Sequence, residues 1–414
     1  MKVHCYIEPH RSFWKQLCGR PQYSLEEGSD EVKQIIESVR SKGDEALPGY
    51  EKLLKVSSEE IAEAESLVDD SLKDAIREAH DGILRFNEAL LPSTVRVETS
   101  PGVVCVQKPV PVNRVGLYVS REREPQFVTV LTLAVPAKVA GCPEVIICTP
   151  PDKDGRVNPA ILYAASICGI EDIYKVGGAH AIAAMAFGTE SVPRCDKIVG
   201  SGDSYALEAK KALSGILASA LFSGPPEVMV LADDSANPAF VASDFLSQSD
   251  SGPNSQSILV CSSHSMVVSI MNEAREQYPA LSNKDDMIRS LLHSKVVVFM
   301  DRNSIIDFAN MYAPEHLIIQ MENPWEVADK IRTAGSVVIG PWSPGQGPRY
   351  TLPPTRGWAR SVGSINVDTF LRKMTIQELT EDGLKKVGSA IRVMAKSEGL
   401  NAHAATIEYR LGEE

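Results

Sequence analysis

The sequence is short of cysteine pairs, of long apolar runs and of basic blocks, and each shortage removes a class of protein. Its eight cysteines, Cys5, Cys18, Cys105, Cys142, Cys148, Cys168, Cys195 and Cys261, are scattered over 414 residues without a C-x-x-C pair. That excludes a disulfide framework and leads us to expect buried thiols in a reducing compartment. The most apolar segment, 128–141, carries Pro136 and Lys138 and falls short of the ~20 residues that cross a bilayer. Met1-Lys2-Val3-His4-Cys5 lacks the apolar centre of a signal peptide. The expected location is cytoplasmic, with no membrane partner.

Positive charge is scarce as well. Lys plus Arg is 42 against 54 for Asp plus Glu, a formal charge of −12, and no stretch is strongly basic, so nucleic acid is not an expected partner. The spacings H-x-x-H, H-E-x-x-H and C-x-x-C, which preassemble a metal site locally, do not occur. No solenoid-like repeat is present.

What remains is an ordinary globular composition, 43% hydrophobic and 23% charged, long enough for two or three packing units. Residues 28–41 space Val32, Ile35, Ile36 and Val39 on one helical face, ended by Gly43, and 58–88 is rich in helix formers. From Val115 onward short apolar runs alternate with helical segments. Strands are predicted at Glu144–Cys148, Ile173–Val176, Lys197–Val199, Glu227–Leu231, Ile258–Cys261, Val296–Phe299 and Val337–Ile339. Helices are predicted from Asn158-Pro159 to near Gly169, and over Ala179–Phe187, Pro238–Ser249, His264–Gln277 and Ser304–Met311. Such alternation points to parallel βαβ units in two tandem sheets, broken near Ser223-Gly224-Pro225-Pro226.

Two features carry chemistry. Gly177-Gly178 and Gly200-Ser201-Gly202-Asp203 sit between predicted strands and helices, where glycine allows close backbone approach to an anion, although neither completes G-x-G-x-x-G. Glu315-His316 follows Pro314 in a loop leading into a strand; an imidazole beside a carboxylate can move protons near neutral pH. The polar-loop candidates for a metal, Gln248, Asp250, His316 and His403, are far apart in the chain, and we assign no role to His4, His10, His80, His264 and His293.

Arg114-Val115-Gly116-Leu117-Tyr118, 135–142 (VPAKVAGC), Phe240-Val241-Ala242-Ser243-Asp244 and Tyr312-Ala313-Pro314-Glu315-His316-Leu317 resemble the histidinol dehydrogenase family. The segment from Gly177 through 187–193 (FGTESVP) and the tail residues Glu398 and His403 extend the resemblance over nearly the whole chain. It implies an α/β fold of two tandem Rossmann-like parallel-sheet units with a small N-terminal arm and a helical, domain-swapped C-terminal tail. The expected division is an arm at 1–20, a first α/β domain at 21–117 plus 227–367, a second at 118–226 and a tail at 368–414. The family oxidises histidinol to histidine in two NAD-dependent steps as a zinc-dependent homodimer. The resemblance therefore makes Glu315 and His316 the catalytic pair, has Glu398, Gln248 and His403 meet a small-molecule substrate or zinc, and places NAD at Tyr118, His180 and Asp203.

This chain departs from that pattern at telling places. Where the family has a zinc-ligating Gln and, three residues on, a His, the chain has Gln248 and Ser251. The loop that supplies a further Asp ligand is shortened to Pro344-Gly345-Gln346-Gly347-Pro348-Arg349-Tyr350 and holds no acid. Zinc is therefore not expected unless Asp250 rebuilds the site. A Gly-Gly loop is replaced by Ser120-Arg121-Glu122-Arg123-Glu124, and His180, Asp203 and Pro226 stand where the family has Gln, Asn and Ser. NAD stays a candidate with a weakened site. The expected function is a zinc-independent relative acting on a small polar substrate, an amino alcohol or related, through Glu315 and His316, with chemistry open to change. The alternatives are an NAD-dependent histidinol or amino-alcohol dehydrogenase with a remodelled site, and a non-catalytic binding or regulatory homologue. Arg121, Arg123, Arg349 and Arg356 are either a solvated surface or a new anion pocket.

Overall fold

The computed structural model describes residues 3–21, 29–49, 54–121, 125–200, 202–219, 224–345, 351, 353 and 355–412. In chain order the strands are β1 (His4–Ile7), β2 (Val95–Ser100), β3 (Val103–Pro111), β4 (Arg114–Tyr118), β5 (Glu144–Cys148), β6 (Ile173–Tyr174), β7 (Lys197–Val199), β8 (Ala218–Ser219), β9 (Glu227–Ala232), β10 (Gln256–Cys261), β11 (Lys295–Val298), β12 (His316–Gln320), β13 (Ser336–Ile339) and β14 (Leu371–Leu379). They form two parallel sheets, in the orders β1-β11-β10-β9-β12-β13 and β6-β5-β4-β7-β8, and an antiparallel sheet β14-β3-β2. The parallel strands read as unbroken apolar runs because helices cover both faces; Val228, Met229, Val230, Leu231 and Ala232 of β9 are all buried.

Local chemistry sets the helix ends where the sequence places them. Asn158 and Asn237 each cap a helix by accepting the N–H two residues on, each followed by proline in the first turn. Gly43, at φ +60°, follows the helix Ser29–Lys42. The most apolar segment is the helix Phe127–Val139, buried from Thr129 to Ala137 beneath the helices Asp70–Ala89 and Pro159–Ile167. Its hydrophobicity is that of a core helix wrapped on every side. Among the described residues no helix is long and apolar enough to cross a membrane.

The packing departs from the expected division at residues 29–89. Val32, Ile36, Val39, Val56, Ala64, Ile76 and Ile83 join the cores of the five-stranded sheet, whereas Trp14 and Leu17 pack on the six-stranded one. The tail is helical only from Glu381, because Leu371–Leu379 first pairs antiparallel with β3. Its exposed, alternating pattern gave no strong strand signal. Of the eight free cysteines five are buried, while Cys5 is exposed; burial pushes the Cys142 thiol up to about 11 and those of Cys168 and Cys195 to about 12.

Candidate functional site

Glu315 and His316 stand at the amino edge of the six-stranded sheet, where its strand order reverses between β9 and β12. Open α/β sheets more often use the carboxyl edge. The pair is put there by the end of the helix Arg302–Tyr312, whose cap Ala313 is buried in the left-handed region at φ +56°. The chain turns through Pro314 and enters β12 at His316. His316 Nε2 lies 3.4 Å from Glu315 Oε1, with 12% and 10% of the two side chains exposed. Glu315 Oε2 accepts the N–H of Glu227 at 2.9 Å.

Behind this pair lies a buried network with no counterpart in the sequence reading. Arg20 forms a two-pronged ion pair with Glu227, donates to the carbonyls of Tyr312 and Ala313 at 2.8 and 3.1 Å, and stacks 4.1 Å over the Tyr312 ring. Tyr312 Oη donates to Gln256 Oε1 at 2.7 Å, and Gln256 is oriented by donating to the carbonyls of Gly19 and His293. Burial pushes the Glu227 carboxyl upward, and the Arg20 guanidinium opposes that shift. The available signal was Glu227 itself, a charge heading an otherwise apolar strand, which demands a buried partner.

Gln248 is buried where the helix Pro238–Ser247 ends. Among the described residues the donors around it do not fit zinc. The buried hydroxyl of Ser249 has no hydrogen-bond partner among the described residues; Ser251 is exposed; Asp250 is exposed and accepts from Asn283 Nδ2 at 2.9 Å. The buried carboxyl of Asp244, one turn back, accepts the Gly345 N–H at 2.9 Å and faces Gln320 Nε2 at 3.5 Å; burial pushes it upward. Glu398 and His403 stand exposed on the tail. Among the described residues no group of three His, Cys, Asp or Glu gathers as a metal cage. If a second copy supplied His403, the family positions would still offer one amide oxygen and one imidazole, with neither carboxylate nor thiolate.

The cofactor candidates gather at the opposite place, the carboxyl edge of the five-stranded sheet, where β4 and β7 adjoin at its own reversal. Tyr118 is fully buried, and its hydroxyl accepts the Gly178 N–H at 2.7 Å, at the start of the helix Gly178–Phe187. His180 lies in the first turn of that helix, and burial pushes its imidazole below the ordinary value. Asp203 caps the helix Ser204–Ala212, accepting the Ala206 N–H at 2.8 Å. A Cβ on Gly200, at φ +134°, would lie 2.1 Å from the Tyr118 carbonyl oxygen, and one on Gly202 would lie 2.9 Å from the Tyr118 ring. Only glycine fits either place. Lys210, fully buried, donates to the Gly200 carbonyl and lies 5.9 Å from the Tyr118 ring centre; burial lowers it to about 8 against the pull of Asp203. Both glycines are thus needed for packing against Tyr118, and the carboxylate at 203 would oppose a pyrophosphate at this helix start.

Of the four arginines two are described, and they meet different partners. Arg121 donates to the Pro151 carbonyl at 3.0 Å, beside a cleft of about 550 Å³ that Arg156, Asp152 and Asn158 also line. Arg356, at φ +55°, lays its stem against Gly224. Arg123 and Arg349 lie outside the described residues, as do Ser201 and Ser223.

The histidinol dehydrogenase family profile matches residues 18–411. Histidinol dehydrogenase of Bacteroides thetaiotaomicron is 43% identical over 418 residues, covering 97% of each chain. That of Escherichia coli is 41% identical over 415 residues, 96% of this chain and 94% of its own. The crystal structure of histidinol dehydrogenase from Elizabethkingia anophelis superposes with a TM-score of 0.96 at 38% identity, over 99% of this chain and 98% of the other.

Proposed function

The chain belongs to the histidinol dehydrogenase family, and from that premise we propose that it is an enzyme acting on a small polar substrate of the amino-alcohol class through Glu315 and His316, without zinc. The observation that carries this reading is the Glu315–His316 contact of 3.4 Å, with the carboxylate anchored by the Glu227 N–H. In the proposed step the His316 imidazole takes the proton of a substrate hydroxyl, and the adjacent carboxylate stabilises the imidazolium that forms. Tyr118, His180 and Asp203 would hold NAD, which when bound supplies a hydride acceptor. Gln248 and the tail's Glu398 and His403 would contact substrate.

The absence of zinc from this proposal follows from the donor chemistry: a neutral amide and a lone imidazole fall short of the three protein ligands usual for catalytic zinc. A homodimer is part of the reading. Among the described residues Glu398 and His403 are exposed and bond to no site residue, and they stand beside exposed apolar Val393, Met394 and Leu400, a tail surface suited to cover by a second copy. The cytoplasm is the proposed location.

NADH formation on adding histidinol to the purified chain tests the reading. It is supported if His316→Ala and Glu315→Gln each abolish the signal. A wild-type rate that neither substitution lowers would contradict it. If no turnover is seen while Glu315→Gln leaves the biological activity intact, the non-catalytic alternative replaces it.

A further inference from the structure

We infer that Arg20 is the positioning residue of the Glu315–His316 pair, an inference that rests on the proposed reading of that pair as the working acid–base couple. Two independent routes lead from Arg20 to Glu315, and both are visible as contacts.

The first route runs along the chain. The carbonyls at the end of the helix Arg302–Tyr312 have no helical N–H to accept, and Ala313 beyond them is held left-handed at φ +56°, a conformation that persists in a non-glycine residue only when its surroundings over-determine it. Arg20 Nη2 supplies donors to the Tyr312 and Ala313 carbonyls at 2.8 and 3.1 Å. Arg360 adds donors to those of Met311 and Tyr312. The turn they fix is followed immediately by Pro314 and Glu315, so its geometry sets where the carboxylate leaves the backbone.

The second route runs through a hydrogen bond. The same guanidinium grips the Glu227 carboxylate, and the Glu227 N–H holds Glu315 Oε2 at 2.9 Å. Tyr312, the last residue of that helix, also reaches the second route, its hydroxyl donating to Glu227 Oε2 at 3.2 Å, but Arg20 is the charged group that bonds both to the helix-end carbonyls and to the Glu227 carboxylate; Arg360 bonds to the helix end and to Gly357. The planar fork matters, because it serves a carboxylate and two carbonyls at once while its face lies 4.1 Å over the Tyr312 ring. A lysine ammonium cannot do this. The N-terminal segment, through Arg20, thereby becomes part of the site's framework.

The test follows the His316 ring proton directly, by proton–nitrogen NMR of the full-length protein with labelled histidine. The signal is assigned by its loss in His316→Ala. Wild type should show a downfield Nε2–H resonance protected by Glu315 Oε1, and Glu315→Gln should remove it. Because Arg20→Ala strands a buried charge on Glu227, the decisive variant is the double Arg20→Ala, Glu227→Gln, which removes both charges and keeps the Glu227 backbone N–H. It should lose the resonance while its circular dichroism stays that of a folded chain. With histidinol and NAD its kcat should fall about 100-fold, the scale of an ångström-sized misplacement, with KM within about twofold. Free guanidinium should partly restore kcat to Arg20→Ala but not to the double variant. A folded double variant that keeps the resonance and its kcat overturns the role of Arg20. Absence of the resonance from wild type overturns instead the reading of the pair on which the inference rests.

Discussion

Two sets of residues to which the family resemblance points are placed differently in this molecule. Glu315 and His316 are neighbours in sequence, and their corner is locked by Arg20, Glu227, Tyr312 and Gln256 in contacts of 2.7 to 3.1 Å. Gln248 is buried at a helix end, His403 is exposed on the tail, and the residues expected between them are a serine and an acid-free loop. An acid–base pair built from consecutive residues needs only its own turn to be held. A metal site recruited from distant segments needs every contributor, since the ion's desolvation is repaid only by a full ligand set.

The sharpest way to break this contrast is substitution on both sides of it. His316→Ala should lower turnover by about 10²–10⁴-fold, the usual worth of a positioned acid–base group. Gln248→Ala, at the metal position, should lower it less than about tenfold, because it removes one neutral contact to substrate. NADH formation from histidinol measures both, and equal losses would erase the distinction. The same contrast should appear in stability. Arg20→Ala leaves the Glu227 charge buried and unpaired and should cost about 3–5 kcal/mol in urea unfolding. His403→Ala, exposed, should stay within about 0.5 kcal/mol.

The cofactor edge offers two smaller tests. Burial holds Lys210 at about 8 in the folded chain, down from 10.5. Below the lower value both folded and unfolded chains carry the proton, so the cost of burying the charge is present in full. Between the two values the unfolded chain binds more protons, and stability should rise with pH by at most about 3 kcal/mol. Unfolding curves at pH 7.5 and 10 for wild type and Lys210→Met should show the extra rise in wild type alone; parallel changes would mean that Lys210 is not the group responsible. Asp203→Asn keeps a helix cap and removes a charge from the glycine turn. It should tighten NAD binding by about 0.3–1 kcal/mol at low salt, the scale of a charge at a helix terminus. Unchanged binding in a calorimetric titration would place the pyrophosphate elsewhere.

The sequence made much of this legible for a physical reason. Apolar periodicity and the Asn-Pro caps set strands such as Glu144–Cys148 and helices such as His264–Gln277 to within a residue, because local chemistry decides them. The strand Leu371–Leu379 escaped because its partner, β3, is about 270 residues away and its face is largely exposed. The attachment of 29–89 to the five-stranded sheet depends on tertiary packing that no local pattern encodes. The adjacency of Glu315 and His316 was plain in the chain, but Arg20 was not. A lone arginine before a proline carries no sign of the buried glutamate 207 residues later that it meets.

We propose that the Glu315–His316 pair works here without the metal. Elemental analysis of the purified, dialysed protein, paired with turnover before and after chelation, tests it most directly. Zinc well below one equivalent per chain is expected, with histidinol-dependent turnover that chelation leaves unchanged. Stoichiometric zinc that is lost, together with activity, on Gln248→Ala or His403→Ala would contradict it.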